Sequence, residues 1–209
     1  KFIDIAERTG FINQLGFWVM KETTLVLKRL LETEAEAIRV SFNVSPVQLI
    51  YSEMTETWLS YLEEFAFNHP SAIARLELEV TESMVMTDPA HALQILQKLK
   101  SFGVRIALDD FGTGHSSLAQ LNKLPIDVLK FDRSLIQHVE TDVKSRTLVS
   151  HLVNMAADLD LETVAEGVET PYQIAFCTEL GFNMIQGYAF FRPMLANELY
   201  QSIRDQTDG

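Results

Sequence analysis

The sequence predicts an α/β fold in which parallel strands, each followed by a helix, build toward a closed (β/α) barrel. Three observations predict it. Short apolar runs alternate with helical patterns along the whole chain. The runs are apolar nearly throughout, as in strands covered on both faces, and do not alternate with polar residues. The strand–helix units in 209 residues come at close to the roughly 31 residues per unit of an eight-unit barrel. Six units with an extra leading helix read as a barrel lacking its first quarter. The chain starts at Lys1, inside a helical pattern, and reads as a piece of a longer polypeptide, one domain over 1–209 truncated at its N-terminus.

The elements follow in order. Phe2-Ile3-Asp4-Ile5-Ala6 is helical in pattern, and Phe11–Leu31 continues as a long helix. The first strand is Arg39–Val44. Behind it Ser45-Pro46-Val47-Gln48 reads as a capping box with Pro at the first helical position, and Glu53–Phe67 is a helix. Leu76–Val80 is the second strand. Asp88-Pro89 starts the helix His91–Phe102, and Gly103 suits a left-handed cap after it. Arg105–Leu108 is the third strand, closed by Asp109-Asp110 and the turn Phe111-Gly112-Thr113-Gly114. Val128–Phe131 is the fourth strand and Lys144–Leu159 its helix. Thr163–Ala165 is the fifth. Thr170-Pro171-Tyr172-Gln173 is a second capping box, opening the helix Pro171–Leu180 that Gly181 ends. A short run at Met184–Ile185 and a last helix, Ala196–Arg204, complete the chain.

Composition narrows the function. Hydrophobic residues make up 47% and charged residues 22%, enough apolar material for a sizeable core and too little charge for disorder. Lys plus Arg number 17 against 29 Asp plus Glu, a net charge of −12. That balance disfavours binding to a nucleic-acid polymer or an anionic membrane. An anionic small molecule would need metal ions or a few placed cations to be held. The one cysteine, Cys177, excludes an internal disulfide and reads as a small core residue, in keeping with a reducing compartment. No apolar run approaches the ~20 residues that span a bilayer. The expected location is cytoplasmic, either free or as the cytoplasmic part of a membrane-anchored protein.

Each strand ends in a chemically demanding residue. The first carries Asn43 and the second Glu79, with Glu82 just beyond. The third carries Asp109 and Asp110, and the fourth Lys130 and Asp132. The fifth leads to Glu166 and Glu169, and the sixth to Gln186-Gly187. In a parallel barrel all such ends share one face, where active sites are built. Two adjacent carboxylates repel each other and resist burial, and a divalent cation removes that conflict. Asn43, Glu79, Asp109, Asp110 and Glu166 are hard oxygen donors suited to Mg²⁺ or Mn²⁺. His69, His91, His115, His138 and His151 are scattered without ligand spacing, which argues against a zinc site. Nothing resembles a nucleophile elbow. Singly, each residue reads as a cap, a turn residue or a surface ion pair such as Lys130 with Asp132. Together on one face they read as a site. Two metals about 3.5–4 Å apart are a known solution for phosphate-ester hydrolysis.

These strings resemble a known family. Phe42-Asn43-Val44-Ser45-Pro46, Glu77-Leu78-Glu79-Val80-Thr81-Glu82-Ser83 and Leu108-Asp109-Asp110-Phe111-Gly112-Thr113-Gly114 are similar to the EAL-domain cyclic di-GMP phosphodiesterases. So are Leu129-Lys130-Phe131-Asp132, Val164-Ala165-Glu166-Gly167-Val168-Glu169-Thr170 and Gln186-Gly187-Tyr188, in the family's order and over nearly the whole chain. The resemblance implies a TIM-type barrel and hydrolysis of cyclic di-GMP to linear pGpG in bacterial second-messenger signalling. It implies a two-metal site of Mg²⁺ or Mn²⁺, inhibited by Ca²⁺. It assigns metal binding to Asn43, Glu79, Asp109, Asp110 and Glu166, with Asp110 between the metals. Lys130 would orient the attacking water, and Gln186 would stand at the edge of the site. Glu82 would anchor the loop Phe111–Ser117, which also contributes to a homodimer, and Asp132 and Glu169 would give support. Fusion to upstream sensor or signalling domains is expected. The Glu-Ala-Leu segment that names the family would lie upstream of Lys1. Its glutamate would be a further metal ligand, and a nearby arginine would grip a substrate phosphate. His115 stands where the family usually has Tyr. The competing expectation is a catalytically silent receptor that binds cyclic di-GMP.

Overall fold

A computed structural model describes residues 2–31, 38–49, 54–81, 88–112, 121 and 123–207. The expectations for Glu82, for His115 and for the loop after Gly112 fall outside these residues. The elements are α1 (Phe2–Thr9), α2 (Ile12–Leu31), β1 (Val40–Val44), α3 (Pro46–Leu49), α4 (Thr55–Asn68), α5 (Pro70–Ile73), β2 (Leu76–Thr81) and α6 (Pro89–Ser101). Then come β3 (Arg105–Phe111), β4 (Val128–Phe131), α7 (Arg133–Ile136), α8 (Val143–Asp158), β5 (Glu162–Ala165), α9 (Pro171–Glu179), β6 (Met184–Ile185) and α10 (Ala196–Thr207). The strands form one sheet in the order β1-β2-β3-β4-β5-β6. The pairs β3–β4, β4–β5 and β5–β6 are parallel, as repeated strand–helix–strand crossovers produce. No described helix is long and apolar enough to cross a membrane.

The chain divides into two compact units. The first comprises Lys1–Glu79, Thr87–Arg105 and Pro193–Gly209. Its core includes Met20, Leu27 and Leu30 from α2, Trp58 and Leu62 from α4, and Leu96 and Leu99 from α6, all nearly or fully buried. The predicted box at Ser45 forms in altered shape. Ser45 N donates to Gln48 Oε1 at 2.8 Å, while Val47 N donates to Ser45 Oγ at 3.2 Å. The hydroxyl in turn donates to Glu7 Oε1 at 2.6 Å, tying α1 to the turn after β1. Asp88 caps α6 by accepting from His91 N at 3.2 Å. In β2, Glu77 is buried and its Oε2 lies 3.7 Å from Arg105 Nε.

The second unit comprises Val80–Met86 and Ile106–Arg192. Ala107, Val128 and Val164 form a buried row across β3, β4 and β5, with Met184 packed against it. Phe131 meets Phe111 and Phe182 edge-on, with ring centroids 5.9 and 5.0 Å apart. Side chains tie down the starts of the strands. Asp127 Oδ2 accepts from Ile106 N at 2.9 Å, and Asn183 Oδ1 from Thr163 N at 2.7 Å. The box at Thr170 is complete. Gln173 N donates to Thr170 Oγ1, and Thr170 N to Gln173 Oε1. Asp142 caps α8 by accepting from Lys144 N and Ser145 N. The hydrogen bond from the Ser145 hydroxyl, then that from Lys144 N, hold its carboxyl below the usual carboxylate range.

The structure changes some local expectations and meets others. β3 does not stop at Leu108; it continues through the Asp pair to Phe111. Two single-turn helices, α5 and α7, were not evident from periodicity, because four residues are too few to show it. Gly103 and Gly181 do take positive φ after their helices, at 95° and 81°.

Candidate active site

The site of the second unit is built by three neighbouring strands. In β3, Ile106, Ala107 and Leu108 are buried and packed among the covering layers. Its register with β4 runs Ala107↔Val128 and Leu108↔Leu129, then slips so that Phe111 faces Phe131. Three steps on β3 therefore match two on β4, which is a bulge. Bulges re-aim side chains and are common beside active sites. Asp110 sits in the bulge with φ 56°, a left-handed conformation that a short polar side chain tolerates and a β-branched one does not. Asp109 is buried and Asp110 is exposed.

β4 delivers Lys130, which is only 4% exposed. A buried ammonium needs opposite charge. Its Nζ lies 2.7 Å from Glu166 Oε1 and 3.1 Å from Asp109 Oδ1. Glu166 is the residue after β5, and its backbone N donates to Phe131 O at 3.1 Å, continuing the ladder by one step. Two carboxylates against one ammonium leave the trio with one negative charge. Asp109 Oδ1 is buried and accepts no hydrogen bond, although Lys130 Nζ lies 3.1 Å away. A buried carboxylate oxygen with acceptor capacity to spare, beside a second carboxylate, suits a hard divalent cation. Among the described residues, no three or more His, Cys, Asp or Glu side chains are grouped to hold a metal ion. Asp109 and Glu166 are the pair that the structure brings to a common point.

The other candidates are placed as follows. Gln186 is exposed and follows β6; its N donates to Ala165 O at 2.8 Å and its O accepts from Val168 N at 3.1 Å. That sets it beside the turn carrying Glu166. Asp132 does not pair with Lys130. It caps α7, accepting from Ser134 N at 2.9 Å. Glu169 is exposed and pairs with Arg133, Oε1 to Nη2, at 3.2 Å. In the first unit, Asn43 is an exposed residue within β1, and Glu79 is a buried one within β2, the neighbouring strand. Sequence reasoning missed Arg133, whose signal is a cation three residues after Lys130. It also missed the burial of Glu77, which the apolar character of Leu76–Val80 could have suggested.

Known proteins are similar to this chain in sequence and in fold. The family model described as EAL domain matches residues 1–193. The cyclic di-GMP phosphodiesterase NbdA of Pseudomonas aeruginosa is 37% identical over 204 residues, which are 98% of this chain and 26% of NbdA. A solved structure of the PaMucR phosphodiesterase in complex with c-di-GMP superposes with a TM-score of 0.85 at 38% identity, covering 95% of this chain and 78% of that one. A manganese and cy-diGMP complex of BlrP1 from Klebsiella pneumoniae gives a TM-score of 0.69 at 27% identity, covering 83% of this chain and 43% of that one. These likenesses place the fold in the TIM-type (β/α) class. The chain spans about a quarter of the length of NbdA.

Proposed function

This chain belongs to the EAL domain family, and from that premise we propose that it hydrolyses cyclic di-GMP to linear pGpG with the help of divalent metal ions. The single observation that carries the reading is the trio Asp109–Lys130–Glu166, in which a buried ammonium lies between carboxylates from the two flanking strands. Support also comes from relatives named as phosphodiesterases and from relatives solved with cyclic di-GMP and with manganese.

The reaction adds water across one phosphodiester bond. Water oxygen attacks phosphorus, the bond from phosphorus to the 3′ oxygen breaks, and that oxygen leaves with a proton, so the product keeps a 5′ phosphate. A bound divalent cation supplies charge neutralisation at the phosphoryl oxygens and a more acidic water. Asp109, Asp110 and Glu166 of the second unit would hold it. Their oxygens are the hard donors that Mg²⁺ and Mn²⁺ prefer. Lys130 Nζ lies against two carboxylates and serves as a hydrogen-bond donor. It orients the attacking water and offsets charge developing on the phosphate. Gln186 offers both a donor and an acceptor to the substrate's edge. Ca²⁺, larger and looser in geometry, binds without supporting turnover.

The same reading includes a homodimer joined through the loop after Asp110, anchored by Glu82. Upstream sensor or signalling domains, at a cytoplasmic location, fit the small share of NbdA that this chain spans. The test is direct. Purified protein is incubated with cyclic di-GMP and Mn²⁺, and nucleotides are separated over time. Appearance of pGpG supports the enzyme. Tight binding of cyclic di-GMP with no product identifies a receptor and overturns the catalytic role of Lys130.

A further inference from the structure

We propose that Arg133 is a positioning residue for Glu166, holding the turn that carries it against the segment that carries Lys130. The inference rests on the proposed hydrolysis and deepens it. Its basis is a repeated spacing. Buried Lys130 and half-buried Glu166 form the inner pair at 2.7 Å. Arg133 and Glu169, each three residues further along its own segment, form a second pair at 3.2 Å. The two strand ends are thus joined twice, once in the core and once at the rim.

The residue between the pairs fits the same purpose. Gly167 directly follows Glu166 and has φ +65°, a conformation that glycine adopts without strain. A Cβ there would lie 2.6 Å from Arg133 Cγ and 2.7 Å from Arg133 Cβ. The aliphatic stem of Arg133 therefore covers the Glu166 turn while its guanidinium reaches past to Glu169. The far side of the turn carries hydrogen bonds that form when the turn is in place. Glu169 N donates to Gln173 Oε1 at 2.7 Å, Val168 N to Gln186 O at 3.1 Å, and Ala189 N to Val168 O at 3.1 Å. Arg133 links this braced turn to β4.

The Arg133 and Glu169 side chains are 57% and 39% exposed. An exposed pair contributes little to global stability. Its consequence is positional, because displacing a catalytic group by about 1 Å can cost up to about a hundredfold in rate. The guanidinium is engaged by Glu169, so it acts through the turn and not on the substrate.

The experiment compares the protein with Arg133→Ala and Arg133→Lys variants. It measures kcat, KM, the melting temperature, and amide hydrogen exchange at Gly167–Glu169. For Arg133→Ala we expect kcat down about tenfold to a hundredfold, with KM and melting temperature close to the parent. The Val168 and Glu169 amides exchange faster, and Arg133→Lys recovers part of both changes. Unaltered kcat together with unaltered exchange overturns the proposal. So does a raised KM at unchanged kcat, which would place Arg133 on the substrate. If the parent hydrolyses no cyclic di-GMP, the proposed function fails alone. Amide exchange still decides, since a turn equally protected in Arg133→Ala refutes the latch.

Discussion

Lys130 lies opposite Val164 in the β4–β5 register, yet its ammonium reaches two residues beyond, to Glu166 Oε1 at 2.7 Å. The lysine leans along the strand toward its C-terminal end, where it also meets Asp109 at 3.1 Å. One cation thereby lies against two carboxylates from the flanking strands. That geometry sets what removal of each partner should do.

Lys130→Ala removes the cation that lies between buried Asp109 and half-buried Glu166. In the presence of chelator, stability should fall by up to about 3 kcal/mol, since Asp109 loses its partner while Glu166 keeps some access to water. Added Mn²⁺ should recover part of the loss, since ammonium is not a metal ligand and the carboxylates remain. Turnover should drop by about a hundredfold to a thousandfold, as when one preorganised donor is removed. Urea unfolding with and without Mn²⁺, beside product assays, checks all three. Parent-like turnover would show that Lys130 does not act on the attacking water.

Asp110→Asn separates backbone from chemistry. Asparagine accepts the left-handed conformation at φ 56° as readily as aspartate does, so the bulge should persist and the melting temperature in chelator should stay near the parent's. Metal affinity and turnover should be lost together. Retained Mn²⁺ affinity would remove Asp110 from the ligand set. Asp110→Val, by contrast, should destabilise the strand as well, because β-branching strains that φ.

The thiol of Cys177 should be inert in the folded protein. The side chain is fully buried, and burial pushes its pKa up to about 11. A raised folded pKa means that its contribution to stability is complete below the ordinary value of 9.0 and is lost as the pH climbs through about 11. A chromogenic disulfide reagent at pH 8 should label no thiol until urea unfolds the chain. Rapid labelling of native protein would contradict the packing of α9.

The Asp142 cap carries the opposite sign. Its carboxyl is held below the ordinary value of 3.8, first by the Ser145 hydroxyl. The stabilisation it gives α8 is therefore complete above pH 3.8 and lost as the pH falls through the lowered value. The urea midpoints of the parent and Asp142→Ala should differ near neutrality and converge in acid. A difference that persists unchanged in strong acid would assign the cap to something other than the ionised carboxylate.

Much of this was legible in the sequence because strand and helix signals agreed. Val128–Phe131 and Met184–Ile185 were bounded as the structure has them, since apolar runs flanked by turn residues leave little choice. Pro171 behind Thr170 fixed the start of α9 in the same way. The candidates Asp109, Lys130 and Glu166 were visible as charges at the ends of apolar strands. Their partnership was not, because Lys130 could equally have paired with Asp132, two residues on. Side-chain direction decides between them, and Asp132 is spent on Ser134 N. Arg133 was illegible for a related reason. Its meaning comes from Gly167 and Glu169, more than thirty positions away, and no local pattern connects them.

The central claim is that these strand ends form a metal-dependent centre for cyclic di-GMP hydrolysis. The most direct measurement strips the protein of metal, titrates Mn²⁺, Mg²⁺ or Ca²⁺ back, and follows pGpG formation. The account predicts no product in excess EDTA, recovery with Mn²⁺ or Mg²⁺, and little turnover with Ca²⁺ although it binds. Full hydrolysis in excess EDTA would contradict it.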